Sequence, residues 1–264
     1  MLTNGAGMAP RRLFCPGRQS TDVDPEPSAH AGSWARNKDP LTNGNVHGII
    51  VLNVYNERLL RLLAETQIPK VFLDTSSLVA PDELNGDLLL MESRTSVRRI
   101  TCHLLEQGRT LPGFIGDISY AQSNRERYEG FCQALADAGK KVDSSLCLTT
   151  PLGIDTYREE IDTFLSSLSR MPDAFVCASD YVACILMQLL EKRGLRVPED
   201  VAVSGFDNNT EDLLAEHLTT VQVFNEELGA RLALQILYRI KYPNTPHEIT
   251  YLGTNVLYRD STGD

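Results

Sequence analysis

Apolar residues in this chain recur in two periods, and the periods alternate. From Gly44 onward, short runs rich in strand formers are followed by stripes spaced three and four residues apart. These read as buried strands and core-facing helices. The pattern is clearest from Met171 to Thr220. AFVCA (174–178) is a strand that stops at Ser179-Asp180. Val182, Ile185, Leu186, Leu189 and Leu190 then fall at i, i+3, i+4, i+7 and i+8, one face of a helix. Ser179 is placed to cap its start, and Gly194 falls where a left-handed residue closes a helix. Pro198 bars continuation, and VAVSGF (201–206) follows as a second strand. Two strands joined by such a helix pair in parallel through a right-handed crossover.

The same alternation covers the rest of the chain. Val46–Leu52 reads as a strand, Leu59, Leu60, Leu62 and Leu63 as a short helix, and KVFLD after Pro69 as the next strand. Val97, Ile100, Leu104 and Leu105 stripe a helix that stops at Gly108, and Gly113–Gly116 is a strand. Ser123 and Glu126 have the spacing of a capping box. The helix they open carries Tyr128, Phe131, Cys132 and Leu135 inward and ends at Gly139. Thr156 and Glu159 form a second box before Ile161, Phe164 and Leu165. VQVF (221–224), a helix with Leu228, Leu232, Ile236 and Ile240 on one face, and a last strand over 248–258 complete the chain. The expected class is α/β, built from doubly wound parallel sheets. Residues 1–43 lack apolar periodicity and are rich in Pro, Gly, Ser, Asn and Asp, so a disordered tail is expected there.

In an open parallel sheet, ligands bind outside the carboxyl ends of the strands. Two polar clusters fall there: Ser179-Asp180, and Asp207-Asn208-Asn209. Such residues also simply cap helices and make turns, and for any one of them the sequence leaves both readings open.

Composition narrows the function classes. The 264 residues are 42% hydrophobic and 23% charged, as in a globular protein. No apolar run reaches the roughly 18 residues of a membrane span, and the first twenty residues lack the core of a signal peptide. Six scattered cysteines (15, 102, 132, 147, 177 and 184) fit reduced thiols and a cytoplasmic setting better than a disulfide framework. The net charge of −10 makes the chain a poor nucleic-acid binder by itself, and the Arg11-Arg12 pair is too short for a basic arm. The sequence carries no catalytic or cofactor signature. There is no dinucleotide, phosphate-loop or nucleophile-elbow motif. His247-Glu248 is followed at position 251 by Tyr rather than His, and no Cys-x-x-Cys pair exists for zinc. No cofactor and no enzyme are expected.

One family matches the motifs in order. VHGIIV, IPKVFLD, FIGD, SNRERYEGFCQAL and ASD…RGLRVPEDVAVSGFDN…LTTV resemble the effector-binding domain of LacI/GalR transcription regulators, from about Gly44 to Thr262. The resemblance implies a periplasmic-binding-protein-like fold of two lobes around a cleft. The amino-terminal lobe would be 44–116 plus 225–246, and the carboxyl-terminal lobe 117–224 plus 247–264. It also implies crossings that act as a hinge and a homodimer. A small polar effector, sugar-like or nucleoside-like, would sit in the cleft on Arg127, Asp207, Ser179 and Asp180. Arg127 would present a fork of donors opposite Asp207, and Asp180 ranks lower because it can cap its helix instead. The resemblance has gaps. No helix-turn-helix headpiece is read here, so operator DNA would be reached only through a headpiece missing from this chain. The first strand and helix of the amino-terminal lobe are also not found, so that lobe is expected to be incomplete, with 46–52 an exposed apolar edge. The alternative is a solute-binding protein of a sugar transporter, which shares the fold. Against it stand the lack of an export signal and the wording of RGLRVPEDVAVSGFD.

Overall fold

The structure is a computed structural model that describes residues 46–153, 155–208 and 216–263. The tail expected over 1–43, and Asn209, lie outside the described residues. Two four-stranded parallel sheets carry the fold. The first has the order β1 (Ile49–Leu52), β2 (Lys70–Leu73), β3 (Asp87–Met91) and β9 (Ile249–Leu252). In the second, β5 (Cys147–Leu148) is followed by β4 (Pro112–Ile115), β6 (Ala174–Cys177) and β7 (Ala202–Ser204). An antiparallel ribbon of β8 (Thr220–Gln222) and β10 (Asn255–Leu257) lies beside them.

Period-two burial explains the layers. In the first sheet, Phe72, Leu88 and Leu90 pack with Leu60 of α1 (Glu57–Glu65) on one face. Val71 and Leu89 face the other way, into the core that Leu228, Leu232 and Ile236 of α6 (Asn225–Lys241) also enter. In the second sheet, Phe114, Val176 and Ala202 meet α2 (Arg94–Glu106) and α3 (Gln122–Asp137). Ile115, Phe175, Cys177 and Val203 meet α4 (Tyr157–Ser167) and α5 (Asp180–Lys192). Parallel strands buried on both faces are expected to read as continuous apolar runs. β1 is the exception. Among the described residues it is the sheet edge, and Ile50 and Leu52 stay exposed.

Several expectations are corrected. β4 pairs with β5 and β6, so residues 112–115 belong with the second sheet, not with 44–111. β9 pairs with β3, so residues 249–252 belong with the first sheet rather than with 247–264 as a unit. The chain therefore passes between the sheets at 92–93 and at 253–254, besides the passage from β8 to α6. The strand expected over 248–258 is broken there into β9 and β10. The passages are tied together: Glu92 N–H donates to Leu252 O at 2.7 Å, and Thr254 Oγ1 donates to Glu92 O at 2.8 Å. Neither capping box forms. Helix α3 begins two residues early, after Ala121, and Thr156 donates to Glu160 rather than accepting an amide.

Candidate functional site

Both sheets aim their carboxyl ends at one cavity of about 260 Å³. Asn53, Asp74 and Met91 stand at the ends of β1, β2 and β3. Asp117, Ser179 and Asp207 stand beyond β4, β6 and β7. Tyr55, Tyr120 and Tyr157 add three aromatic walls. Tyr55 and Tyr120 pack with ring centroids 4.3 Å apart.

The backbone is strained where the carboxylates project. Asp74 has φ 60°, Asp207 φ 111° and Asn208 φ 51°, values side-chain-bearing residues seldom adopt and which cluster at functional sites. Asp207 is held by its amide, which donates to Val221 O at 3.1 Å. The Asp207 side chain keeps 44% of its surface open, toward the cavity. Burial of the surrounding cleft pushes its carboxyl above the usual range, while the charge of Arg127 pulls it partly back. Arg127, in the second turn of α3, is buried. Its guanidinium lies 3.6 Å from the centroid of Phe206. Nη2 donates to Asp207 Oδ1 at 3.4 Å, and Nη1 donates to Ala178 O and, at 3.5 Å, to Asn124 Oδ1. Nε is buried and meets no acceptor among the described residues. The expected fork of donors is thus turned onto the protein, with Asp207 as one of its acceptors.

Ser179 lines the cavity while its hydroxyl caps α5, accepting from Val182 N–H at 3.3 Å. Asp180 does not line the cavity. It is buried, its Oδ1 accepts from Thr220 Oγ1 at 2.6 Å, and its amide donates to Phe206 O at 2.8 Å. Ser179, not Asp180, caps the helix, and the Asp180 carboxylate ties the start of α5 to β8 instead. Asn208 likewise serves the fold: Arg259 donates to its Oδ1 at 2.8 Å, and its Nδ2 donates to Gln222 Oε1 at 2.6 Å.

The lining residues that sequence reasoning missed include Asp74, Asp117 and Tyr55, besides Tyr120 and Tyr157. Asp74 caps α3 from the other sheet, accepting from Ser123 Oγ at 2.6 Å and from Ser123 N–H at 3.3 Å. Burial pushes its carboxyl up, and the bonds from Ser123 and Thr75 partly offset this. Tyr55 O–H donates to Asp74 Oδ2 at 3.4 Å, and burial beside that carboxylate pushes the phenol above its ordinary value. Gln122 N–H to Thr75 O at 2.8 Å, and Ser77 Oγ–H to Ser119 O at 3.0 Å, also join the two halves. Asp117 accepts from Ser119 Oγ at 2.6 Å and shapes the loop after β4. A second, apolar cavity of about 180 Å³ lies at the passages between the sheets, with Met91 lining both.

Fold and cavity define a class: two parallel α/β halves that present their strand ends to a shared cleft. The chain belongs to the periplasmic binding protein-like domain family, whose profile matches residues 101–262. Its homologues are LacI-family transcriptional regulators. The HTH-type transcriptional repressor PurR of Actinobacillus pleuropneumoniae is 29% identical over 80% of this chain and 62% of its own length. The HTH-type transcriptional regulator DegA of Bacillus subtilis is 29% identical over 80% of this chain and 60% of its own. The chain thus spans about three fifths of the curated relatives it matches. Among solved structures, the transcriptional regulator CelR in its cellobiose complex superposes with a TM-score of 0.74. It is 27% identical over 83% of this chain and 67% of that one. Among the described residues no helix is long and apolar enough to cross a membrane.

Proposed function

We propose that this chain is the ligand-sensing core of a bacterial LacI/GalR-type transcriptional regulator, binding a small polar effector, sugar-like or nucleoside-like, between its lobes in the cytoplasm. One observation carries the reading: six strands from two sheets end at the same polar, tyrosine-walled cavity. Its 260 Å³ lies just under the roughly 300–1,000 Å³ of drug-sized sites, which suits one ring or a small pair of rings. The relatives named as repressors, and one solved with cellobiose, support an effector-controlled DNA switch. Asp207 is the principal acceptor for the effector, with Ser179 at the rim and Arg127 as the residue that orients Asp207. The passages at 92–93, 223–224 and 253–254 act as the hinge, and closure is passed as a homodimer to a DNA-binding headpiece.

The test is calorimetric titration of the chain with a panel of sugars and nucleosides. Saturable binding that weakens with Asp207→Ala is the expected result. Binding that is indifferent to both Asp207→Ala and Tyr120→Ala would place the effector elsewhere.

A further inference from the structure

We infer that the cleft selects an uncharged, hydroxyl-rich ligand and rejects the phosphorylated or carboxylated form of the same compound. This rests on the effector-binding reading above and adds the charge class of the effector.

The first ground is the state of the cavity's cation. Arg127 is the one basic side chain among the described lining residues, and it stands among three carboxylates, Asp74, Asp117 and Asp207. Its Nη1 is committed to Ala178 O and Asn124, its Nη2 to Asp207, and one face of its guanidinium to Phe206. Nε is sealed from solvent. At most one Nη2 hydrogen is left for a ligand, so the two parallel bonds by which arginine grips a phosphate or carboxylate cannot form. The charge is already opposed by Asp207.

The second ground is the helix ends. Three helices, α3, α4 and α5, start at the cavity, and a helix start is where an anion would otherwise be held. The starts of α3 and α5 are occupied by the protein's own acceptors, and the first turn of α4 carries Glu159 and Glu160, which oppose an anion. In α3, the amides of Gln122 and Ser123 go to Thr75 O and Asp74. In α5, the amides of Asp180 and Val182 go to Phe206 O and Ser179 Oγ. Asp74 in particular fills the start of α3 with its own carboxyl, where a ligand phosphate would sit.

The third ground is the count of donors against acceptors. Tyr55 O–H is directed at Asp74 and Asn53, and Asn124 Nδ2 at Asp117 O. Asp207 turns an open carboxylate to the cavity. The other lining donors, on Asn53, Tyr120, Tyr157 and Ser179, belong to neutral groups that can also accept, whereas ionised Asp74, Asp117 and Asp207 only accept, so a ligand that brings hydrogens is favoured. Sugar or ribose hydroxyls do so, whereas a phosphate dianion brings only more acceptors. That burial already pushes Asp74 and Asp207 toward their protonated forms shows how poorly the cleft takes additional negative charge.

The experiment is calorimetry on the whole chain with matched pairs: glucose, glucose 6-phosphate and glucuronate; ribose and ribose 5-phosphate; adenosine and its 5′-monophosphate. The expected result is a neutral ligand whose phosphate or carboxylate partner binds at least tenfold more weakly. In Asp207→Asn, which removes one charge and offers a donor, that gap should shrink at least threefold. An anionic member that binds as tightly as its neutral parent overturns the inference and leaves the effector reading intact. A gap unchanged in Asp207→Asn overturns the role given to Asp207. If neither half of any pair binds, the effector reading itself fails.

Discussion

Among the described residues, two buried arginines each meet an aspartate, and the two pairs are built to opposite ends. In the half built on the first sheet, Asp87 at the start of β3 meets Arg239 of α6, each side chain only 2% exposed. Every arm is satisfied. Arg239 donates to both Asp87 oxygens, to Thr245 O at 2.6 Å and to Pro246 O at 2.9 Å. Asp87 also accepts from Gln235 Nε2 at 2.7 Å and from Glu248 N–H at 2.9 Å. Burial pushes its carboxyl up, but the bonds from Arg239, Gln235 and Glu248 outweigh it and hold the group below its ordinary value. In the cleft, Asp207 has one long contact to Arg127, an open face and a raised carboxyl. A carboxylate saturated by the protein is finished as a structural clasp. One left half-satisfied at a strand end retains capacity for a ligand.

The comparison is broken most directly by cutting each pair. Asp87→Ala leaves the Arg239 guanidinium buried and unpaired, a change that costs about 3–5 kcal/mol. Urea unfolding should show the midpoint collapse. The double variant Asp87→Leu with Arg239→Met should recover most of the loss, since apolar replacement of a whole buried pair is often neutral. An Asp87→Ala protein as stable as wild type would mean that this pair is no clasp at all. Asp207→Ala should do the reverse. Unfolding shifts by no more than about 1 kcal/mol, as for an open pair. Affinity for the effector falls tenfold to a hundredfold, the worth of charge-assisted bonds of about 1.5–3 kcal/mol.

Much of this was legible in the sequence, and the gaps have physical causes. The 171–220 unit was legible because each boundary carries its own signal. Ser179 caps α5, and Gly194 takes φ 73° beyond its end. Residues 87–91 went unassigned because DLLLM is a short apolar run with no turn residue after it, and such a run fits strand or helix equally. Asp74 and Asp117 could have been found by the rule that picked out Asp207, since each follows a readable strand, KVFLD and GFIG. What hid Asp74 is that its partner, Ser123, lies 49 residues away on the other sheet. A local capping box looked sufficient, and sequence spacing cannot see a cap supplied across a cleft. The spent state of Arg127 was equally invisible, because Ala178 O and Phe206 come from two other strands.

That cross-cleft cap sharpens the comparison at intermediate energy. Asp74 stabilises α3 only while the two halves are together. Asp74→Ala should cost about 0.5–2 kcal/mol, the range for a lost helix cap, and should favour the open arrangement. Small-angle scattering of the unliganded variant should show a larger radius of gyration than wild type. An unchanged radius with an equal loss of stability would make Asp74 a local cap without any part in closure.

The smallest effect is the most discriminating, because it concerns sign. Asp87 is depressed in the folded protein, so its contribution is present above the unfolded value of about 3.9 and is lost as pH falls through the folded value. Asp207 is raised, so its contribution is fully present below the unfolded value and is lost as pH rises through the folded one. Asparagine does not titrate and supplies the reference at each position. Relative to Asp207→Asn, wild type should therefore gain stability as pH falls from about 7 toward about 4. Relative to Asp87→Asn, it should lose stability below about pH 4. Because 44% of the Asp207 side chain is open, solvent screening keeps its swing under about 1 kcal/mol. Thermal melts at fixed ionic strength resolve a difference of that size when each variant is referred to wild type at the same pH. Two slopes of the same sign would show that the aspartates sit in equivalent environments and that the division between clasp and ligand acceptor is wrong.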